Sequence, residues 1–421
     1  MTTGLDVGVL RTGAVLTPVL LTAVLWLLTP DPRRRGAAVL AALWNLVGLL
    51  AVNAVAVAAG AWHFGTAGAM WAQVPVDVVA GWALLWGAVP ILLTPWLRPA
   101  LCAGLLVAFD ALVMGVLDPL VTLAPRWWIG ELATVGLCLI PGVLLGVLTD
   151  RGTGLRLRAA GQVALFGATA GFLLPAIAFA GTGRSWSQLW AQFGGPADLV
   201  AAQLGLIVLV IALAAVAEFV RGGGTPYPWD PPVRLVRSGP YAYLANPMQL
   251  CAVTLLLIGA AVFAAPELAA IAGAGAVFGA GLAGWSERGD LVRRFGADWT
   301  AYRGTVTDWL PRWTPSRLRQ PARLYVAGGC DPCSRLGCWL AARAPVALQI
   351  VDADAVRPAL HRLRYTGADG LSVDGTRALG AALEHLSLGW AVTGWLLRAP
   401  LLGGLVQLVA DAVGAGPRVP R

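Results

Sequence analysis

The sequence predicts an all-α polytopic membrane protein of about nine transmembrane helices, ending in a small C-terminal α/β domain. Three observations predict it. Hydrophobic residues make up 58% of the chain and charged residues only 12%, with a mean hydropathy of +0.72, too apolar for a soluble globule. Apolar runs of about 18 or more residues, long enough to cross a bilayer, recur from the N-terminus to about residue 285. Beyond Pro321 the pattern shifts to a short strand-like run followed by Cys330-Asp-Pro-Cys333.

Spans are expected at 12–29, 37–60, 75–95, 100–118, 132–149, 159–180, 198–220, 248–264 and 266–285. The first has no small-residue cleavage site leading into a soluble domain, so it reads as a membrane helix and not as a signal peptide. Alternate loops carry Arg33-Arg34-Arg35, then Arg98, then Arg151, Arg156 and Arg158, then Arg221, Arg234 and Arg237, and last the arginine-rich segment 288–323. The loops between them carry His63, Arg126 balanced by Glu131, Arg184, and Pro266-Glu267. This alternation predicts a multi-pass plasma-membrane protein with its N-terminus outside and its C-terminus cytoplasmic. The net charge of +8 then reflects topology and attraction to anionic headgroups. No nucleic-acid partner is expected, because the arginines form no basic domain.

Residues 1–197 are N-terminal transmembrane helices without an assignable motif. Trp26, Trp62, Trp71, Trp96, Trp127 and Trp128 lie near span ends, where indoles anchor at the interface. Asp77 and Asp110 fall within or near spans. An intramembrane carboxylate is expensive, so each is either a functional residue or the partner of an arginine near the interface. Asn45 and Asn53 read as interhelical hydrogen-bonding residues.

Residues 198–320 form a distinct membrane module. Its loop at 222–240 combines Gly222, Gly223 and Gly224 with Pro226, Pro228, Pro231, Pro232 and Pro240, a stiff and extended path with few amide donors. Such a backbone fits either a loop over a cofactor or a plain connector. The loop runs into Ser-Gly239-Pro240-Tyr241 and Asn246-Pro247. It is answered after the next helices by Glu287-Arg288, Phe295-Gly296, Tyr302 and Pro311-Arg312.

This spaced pattern resembles the isoprenylcysteine carboxyl methyltransferase-like family of membrane enzymes, which includes the phospholipid methyltransferases, over roughly residues 200–315. The resemblance implies a cofactor, S-adenosyl-L-methionine, and a membrane lipid or lipophilic small molecule as acceptor. It places Gly239, Pro240, Tyr241, Asn246, Pro247, Glu287 and Tyr302 at the cofactor and Glu287, Asn246 and Arg288 at the chemistry. Two positions depart from the family's pattern: its frequent His before Pro is Asn246, and its second glutamate is Arg288. Glu287 suits cofactor hydroxyl or ammonium groups, or else pairs with Arg293 or Arg294. Asn246 cannot act as a general base, and the chain's histidines are His63, His361 and His385, none within the module. An acceptor carboxylate or thiolate, which needs little base assistance, is therefore favoured over an ammonium headgroup.

Residues 321–421 form a separate unit. Ala322–Ala327 reads as a buried strand running into Cys330-Asp-Pro-Cys333 and a helix, the strand-to-helix Cys-X-X-Cys of thioredoxin-like domains. A helix N-terminus lowers the first thiol's pKa and the second thiol can resolve a mixed disulfide. The tail resembles the DCC family of small thioredoxin-like proteins, although Gly329 replaces the usual Asp before the first Cys. Three readings stay open for Cys330 and Cys333: a redox dithiol, a structural remnant, or a zinc site completed from Cys338, His361 and His385 without recognised spacing; no metal is expected. Cys102, Cys138 and Cys251 lie in helices and suggest no disulfide framework. At the level of function, a membrane methyltransferase competes with an NADPH-dependent reductase of related fold and with a non-enzymatic scaffold for the tail.

Overall fold

The computed structural model describes residues 6–65, 68–327, 331–353 and 360–412, with the side chains of 282–288 and 331–333 outside the described set. By contacts the chain divides into two units, Met1–Ser185 with Thr225–Pro231, and Trp186–Gly224 with Pro232–Arg421. Three parts, 1–197, 198–320 and 321–421, are expected from the sequence. The C-terminal sheet lies in the second unit.

Six helices among the described residues are long and apolar enough to cross a membrane: Val7–Leu28, Pro32–Ala58, Pro99–Val116, Trp127–Arg151, Leu155–Gly181 and Pro196–Arg221. The other three expected spans fall on shorter apolar helices, Val76–Leu92, Pro247–Val262 and Pro266–Gly281. At 1.5 Å per residue these cover about 25 Å, against a hydrocarbon core of about 30 Å. Pro247 and Pro266 open the second and third of them. Hydropathy alone overruns the ends, because apolar residues such as Phe263 and Ala264 lie in the connection and not in a helix.

In the first unit the Pro32–Ala58 helix is the central element. Its residues Ala37, Ala38, Leu40 and Ala41 are fully buried, and small side chains of this kind let neighbouring helices approach closely. Asn45 and Asn53 donate to carbonyls of their own helix, Ala41 O at 2.9 Å and Leu49 O at 2.8 Å. Asp77 pairs with Arg11, its Oδ2 accepting from Nε at 2.8 Å, and so belongs to an ion pair between helices. Short strands β1 (Trp62–Phe64) and β4 (Val121–Leu123) pair antiparallel, with His63 exposed opposite Thr122. Strands β2 (Met70–Trp71) and β3 (Val74–Pro75) form a second ribbon.

The proline-rich segment Thr225–Pro231 also belongs to this unit. Arg158 and Asp230 form a buried ion pair, Thr225 Oγ1 donates to Asp230 Oδ2 at 2.9 Å, and Arg33 lies 3.6 Å from Asp230 Oδ1. The Tyr227 hydroxyl donates to Gly36 O at 2.6 Å, and burial raises its pKa.

The second unit contains the Pro196–Arg221, Pro247–Val262 and Pro266–Phe278 helices, then Gly284–Arg303, broken by Gly296 at φ 50. A four-stranded sheet follows in the order β6-β5-β7-β8. Strand β5 (Ala322–Val326) lies parallel to β6 (Leu348–Asp352) and antiparallel to β7 (Arg364–Gly367), which pairs antiparallel with β8 (Ser372–Asp374). Leu324, Leu340, Tyr365, Ala378, Ala381 and Ala382 form its core with the Asp331–Ala341 and Thr376–Leu383 helices. His385 is fully buried there. Its Nδ1 donates to Val346 O at 2.6 Å and its Nε2 accepts from the Tyr365 hydroxyl at 2.9 Å, so the neutral imidazole is held by both nitrogens. Burial, and then the nearby Arg319, push its pKa well below 6.5.

Two predictions follow from this packing. Arg158→Ala leaves the Asp230 carboxylate buried and poorly compensated, which costs about 3–5 kcal/mol. Thermal unfolding should show a lower Tm for Arg158→Ala and for Asp230→Ala, with the double variant losing clearly less than the two singles summed. For His385, the folded state takes up a proton less readily than the unfolded chain. Stability is therefore complete above about pH 6.5 and is lost progressively as pH falls below that value, by about 1.4 kcal/mol per pH unit. A Tm measured from pH 7.5 down to 5 should fall, and His385→Gln should flatten the fall.

Candidate functional site: the Gly239–Pro247 segment

Residues Gly239–Ala242 make a single 3-10 turn, closed by Tyr243 N donating to Pro240 O at 3.0 Å and Leu244 N donating to the same oxygen at 3.1 Å. Gly239 starts it at φ +56, and a Cβ there would sit 2.6 Å from Glu218 Oε1 and 2.7 Å from its Cγ. Only glycine satisfies both demands. Glu218 is buried near the end of the Pro196–Arg221 helix. Its Oε2 accepts from Ser238 Oγ at 2.6 Å and its Oε1 from Arg221. The turn is therefore anchored from below by a charged carboxylate and its arginine.

Aromatic packing fixes the direction of the turn. Tyr241 lies against Phe219 with ring centroids 5.1 Å apart, and Ala215, Val236 and Met248 complete its surroundings. Tyr243 meets Trp395 edge-on at 6.0 Å, and its hydroxyl donates to Glu384 O at 3.0 Å. Burial raises the pKa of Tyr243.

A second segment, residues 302–316, closes over the first. The fully buried Tyr302 donates its hydroxyl to Tyr241 O at 2.9 Å. Ala245 N donates to Thr307 O at 2.9 Å, Arg312 N to Tyr243 O at 3.1 Å and Ser316 N to Ala242 O at 2.7 Å. Asn246, the residue before the Pro247–Val262 helix, donates from Nδ2 to Asp308 Oδ1 at 3.2 Å, while Asp308 Oδ2 lies 2.8 Å from Arg303. Arg312 also donates to Thr305 O. Burial pushes the Tyr302 phenol pKa up, which leaves it a hydrogen-bond donor and not a base.

The structure thus brings together Gly239, Pro240, Tyr241, Asn246, Pro247 and Tyr302 of the residues expected from the sequence. The side chains of Glu287 and Arg288 lie outside the described residues, as do Cys330 and the Cys333 side chain. Arg293 and Arg294, possible partners for Glu287, lie 3.5 and 3.6 Å from Asp290. Cys251 is buried as a small core residue. Among the described residues no group of three His, Cys, Asp or Glu side chains could hold a metal ion.

Sequence reasoning misses Glu218, Asp308 and the trio of buried Arg319 and Glu384 with the half-buried Arg398. Glu384 takes Arg398 on Oε1 and Arg319 at 3.8 Å from Oε2, while its carbonyl accepts from Arg319 and Tyr243. Glu218 had a signal: a carboxylate inside an apolar run, three residues before Arg221. Glu384 and Arg319 had none, since each reads alone as an ordinary surface charge.

Comparison of the chain with protein-family models, with curated proteins and with solved structures finds no match in any of the three.

Gly239→Ala is expected to force the turn off Glu218 at a cost of about 1–3 kcal/mol. A lower Tm should result, whereas Gly281→Ala, where a Cβ would meet nothing within 4 Å, leaves it unchanged.

Proposed function

We propose that the second unit is an integral membrane methyltransferase that uses S-adenosyl-L-methionine to methylate a lipid-like or isoprenoid acceptor at the cytoplasmic face. The observation that carries this reading is the joining of the two motif halves, with Tyr302 bonded to Tyr241 O and Asn246 to Asp308. These are the segments that the family resemblance assigns to the cofactor. A plain connector does not require two segments about 60 residues apart to be locked by side chain and backbone together.

The residues present fit the donor's amino-acid end. That group is a zwitterion, and the half-exposed Asp308 carboxylate and Arg303 guanidinium offer one partner of each sign beside the Asn246 amide. Glu287 would add a second carboxylate for an ammonium or hydroxyl group. The bound donor supplies an electrophilic methyl group on a sulfonium. An acceptor carboxylate or thiolate would take that methyl group as the carbon–sulfur bond breaks, the sulfur keeping the electron pair. The protein's part is to hold both reactants in line and exclude water. A general base is not needed for such acceptors, in keeping with a module that contains Asn246 and no histidine.

In this reading all nine apolar helices cross or enter the bilayer, with the N-terminus outside and the C-terminus cytoplasmic, as the arginine alternation implies. The tail is then an accessory thioredoxin-like thiol domain of the DCC type. A parallel strand pair joined through a helix, followed by an antiparallel pair and a further helix, supports that fold. In sequence Cys330 directly precedes Asp331, where the helix Asp331–Ala341 begins, and a thiolate at a helix N-terminus would be stabilised.

Calorimetric titration of the purified protein with S-adenosylhomocysteine should give micromolar binding, weakened at least about tenfold (about 1.4 kcal/mol) by Asn246→Ala or Glu287→Ala. Saturable NADPH binding without a response to S-adenosylhomocysteine would replace the methyltransferase with a reductase, and binding of neither would leave a scaffold. In the tail, Cys330 should alkylate faster than the other cysteines at neutral pH. Equal, slow modification of Cys330 and Cys333 would remove the redox role, and protection relieved by a chelator would point to zinc.

A further inference from the structure

Three helices long enough to cross a membrane come together around a polar cleft in the first unit. Pro32–Ala58 and Pro99–Val116 begin there, and Trp127–Arg151 ends there. The cleft has a volume of ≈ 390 Å³, and Arg34, Thr94, Trp96, Arg98, Asp150 and Arg151 are among its lining residues. That volume falls within the about 300–1,000 Å³ of small-molecule sites. Its position at the ends of spans is the level at which lipid headgroups lie.

Most arginines at this end of the unit already have structural partners. Arg33 donates from Nε to Thr149 O at 2.8 Å, and Arg35 from Nη2 to Trp26 O at 3.0 Å. Arg158 pairs with the buried Asp230. The cleft is different. Arg34 Nε lies 3.3 Å from Asp150 Oδ1, the one carboxylate in the lining. Arg98 and Arg151 are exposed, and among the described residues neither enters a hydrogen bond or an ion pair through its side chain.

Three guanidiniums facing one carboxylate leave a surplus of two positive charges, and arginine does not deprotonate in proteins. The helix Pro99–Val113 also begins at the cleft wall without a side-chain cap, so the positive end of its dipole adds to the arginines. Such a wall selects an anion. A carboxylate has two oxygens and fills a single guanidinium fork. A phosphate monoester has three terminal oxygens and close to two negative charges at neutral pH, and so can engage guanidiniums that stand on separate helices. Trp96 is 61% exposed in the same lining. An exposed indole at a span end settles among headgroups, which favours a phosphate carried by a lipid over one free in solution. Basic pockets between membrane helices hold headgroups of this kind.

We propose that the Arg34–Arg98–Arg151 cleft is a binding site for the headgroup of an anionic membrane lipid of the phosphate monoester class. The site lies wholly within the first unit and stands independently of methyl transfer by the second.

Native mass spectrometry of the full-length protein in detergent tests this, by titration with dioleoylphosphatidic acid. Dioleoylphosphatidylcholine serves as the zwitterionic control, oleate as the carboxylate control and inorganic phosphate as the lipid-free anion. Phosphatidic acid should bind saturably at one site, and at least about tenfold more tightly than each of the other three. Arg98→Gln and Arg151→Gln should each weaken it at least about tenfold, at unchanged Tm, because neither side chain has a protein partner to lose. Arg156→Gln, which removes an exposed arginine outside the cleft lining, should leave binding as it is. Equal weakening by Arg156→Gln would show diffuse surface attraction and overturn the proposal. Inorganic phosphate or oleate matching phosphatidic acid, or no saturable binding, would overturn it as well.

Discussion

Burial of the Glu384 carboxylate is the constraint on which the second unit's arrangement depends. A carboxylate this enclosed is tolerated only when its charge is balanced and its oxygens are bonded. Arg398 and Arg319 balance it. Its peptide carbonyl is capped by Arg319 and by the hydroxyl of Tyr243, the residue that ends the Gly239–Ala242 turn. The same backbone group therefore serves the C-terminal sheet and the membrane module. The tail and residues 186–224 and 232–320 belong to one unit.

From this anchor the chemistry of the site can be followed outward. Tyr243 fixes the end of the turn, Glu218 with Ser238 fixes its start, and Gly239 passes over Glu218 because it has no side chain. Tyr302 and the amides of Ala245, Arg312 and Ser316 then lock the later segment onto the earlier one. What stays half-exposed at this junction is Asn246, Asp308 and Arg303, a small polar set before a helix N-terminus. Rigid support beneath a few polar groups is the arrangement that positional catalysis demands.

Much of this was legible in the sequence, for definite reasons. Membrane helices announce themselves because lipid admits only long apolar segments with satisfied backbones. The three that fall short of a full span begin at or near prolines or end in apolar connections, a distinction that hydropathy cannot make. The turn residues were legible because glycine and proline carry backbone constraints locally. Asp77 was legible only as a choice, and Arg11 decides it. Asp308, Glu384 and Arg319 were not legible, because their roles arise from partners far along the chain that no local pattern specifies. Asp110 is legible as a costly carboxylate, whereas Glu131 reads from the sequence as a loop charge balancing Arg126.

The central claim is that residues 239–246 and 302–312 together form one cofactor-binding element. Hydrogen–deuterium exchange on the full-length protein, with and without S-adenosylhomocysteine, tests it most directly. The account predicts slower exchange in both segments at once, with the amides of Ala322–Val326 in the sheet unchanged. Slowing in neither segment, or in only one of them, would contradict it.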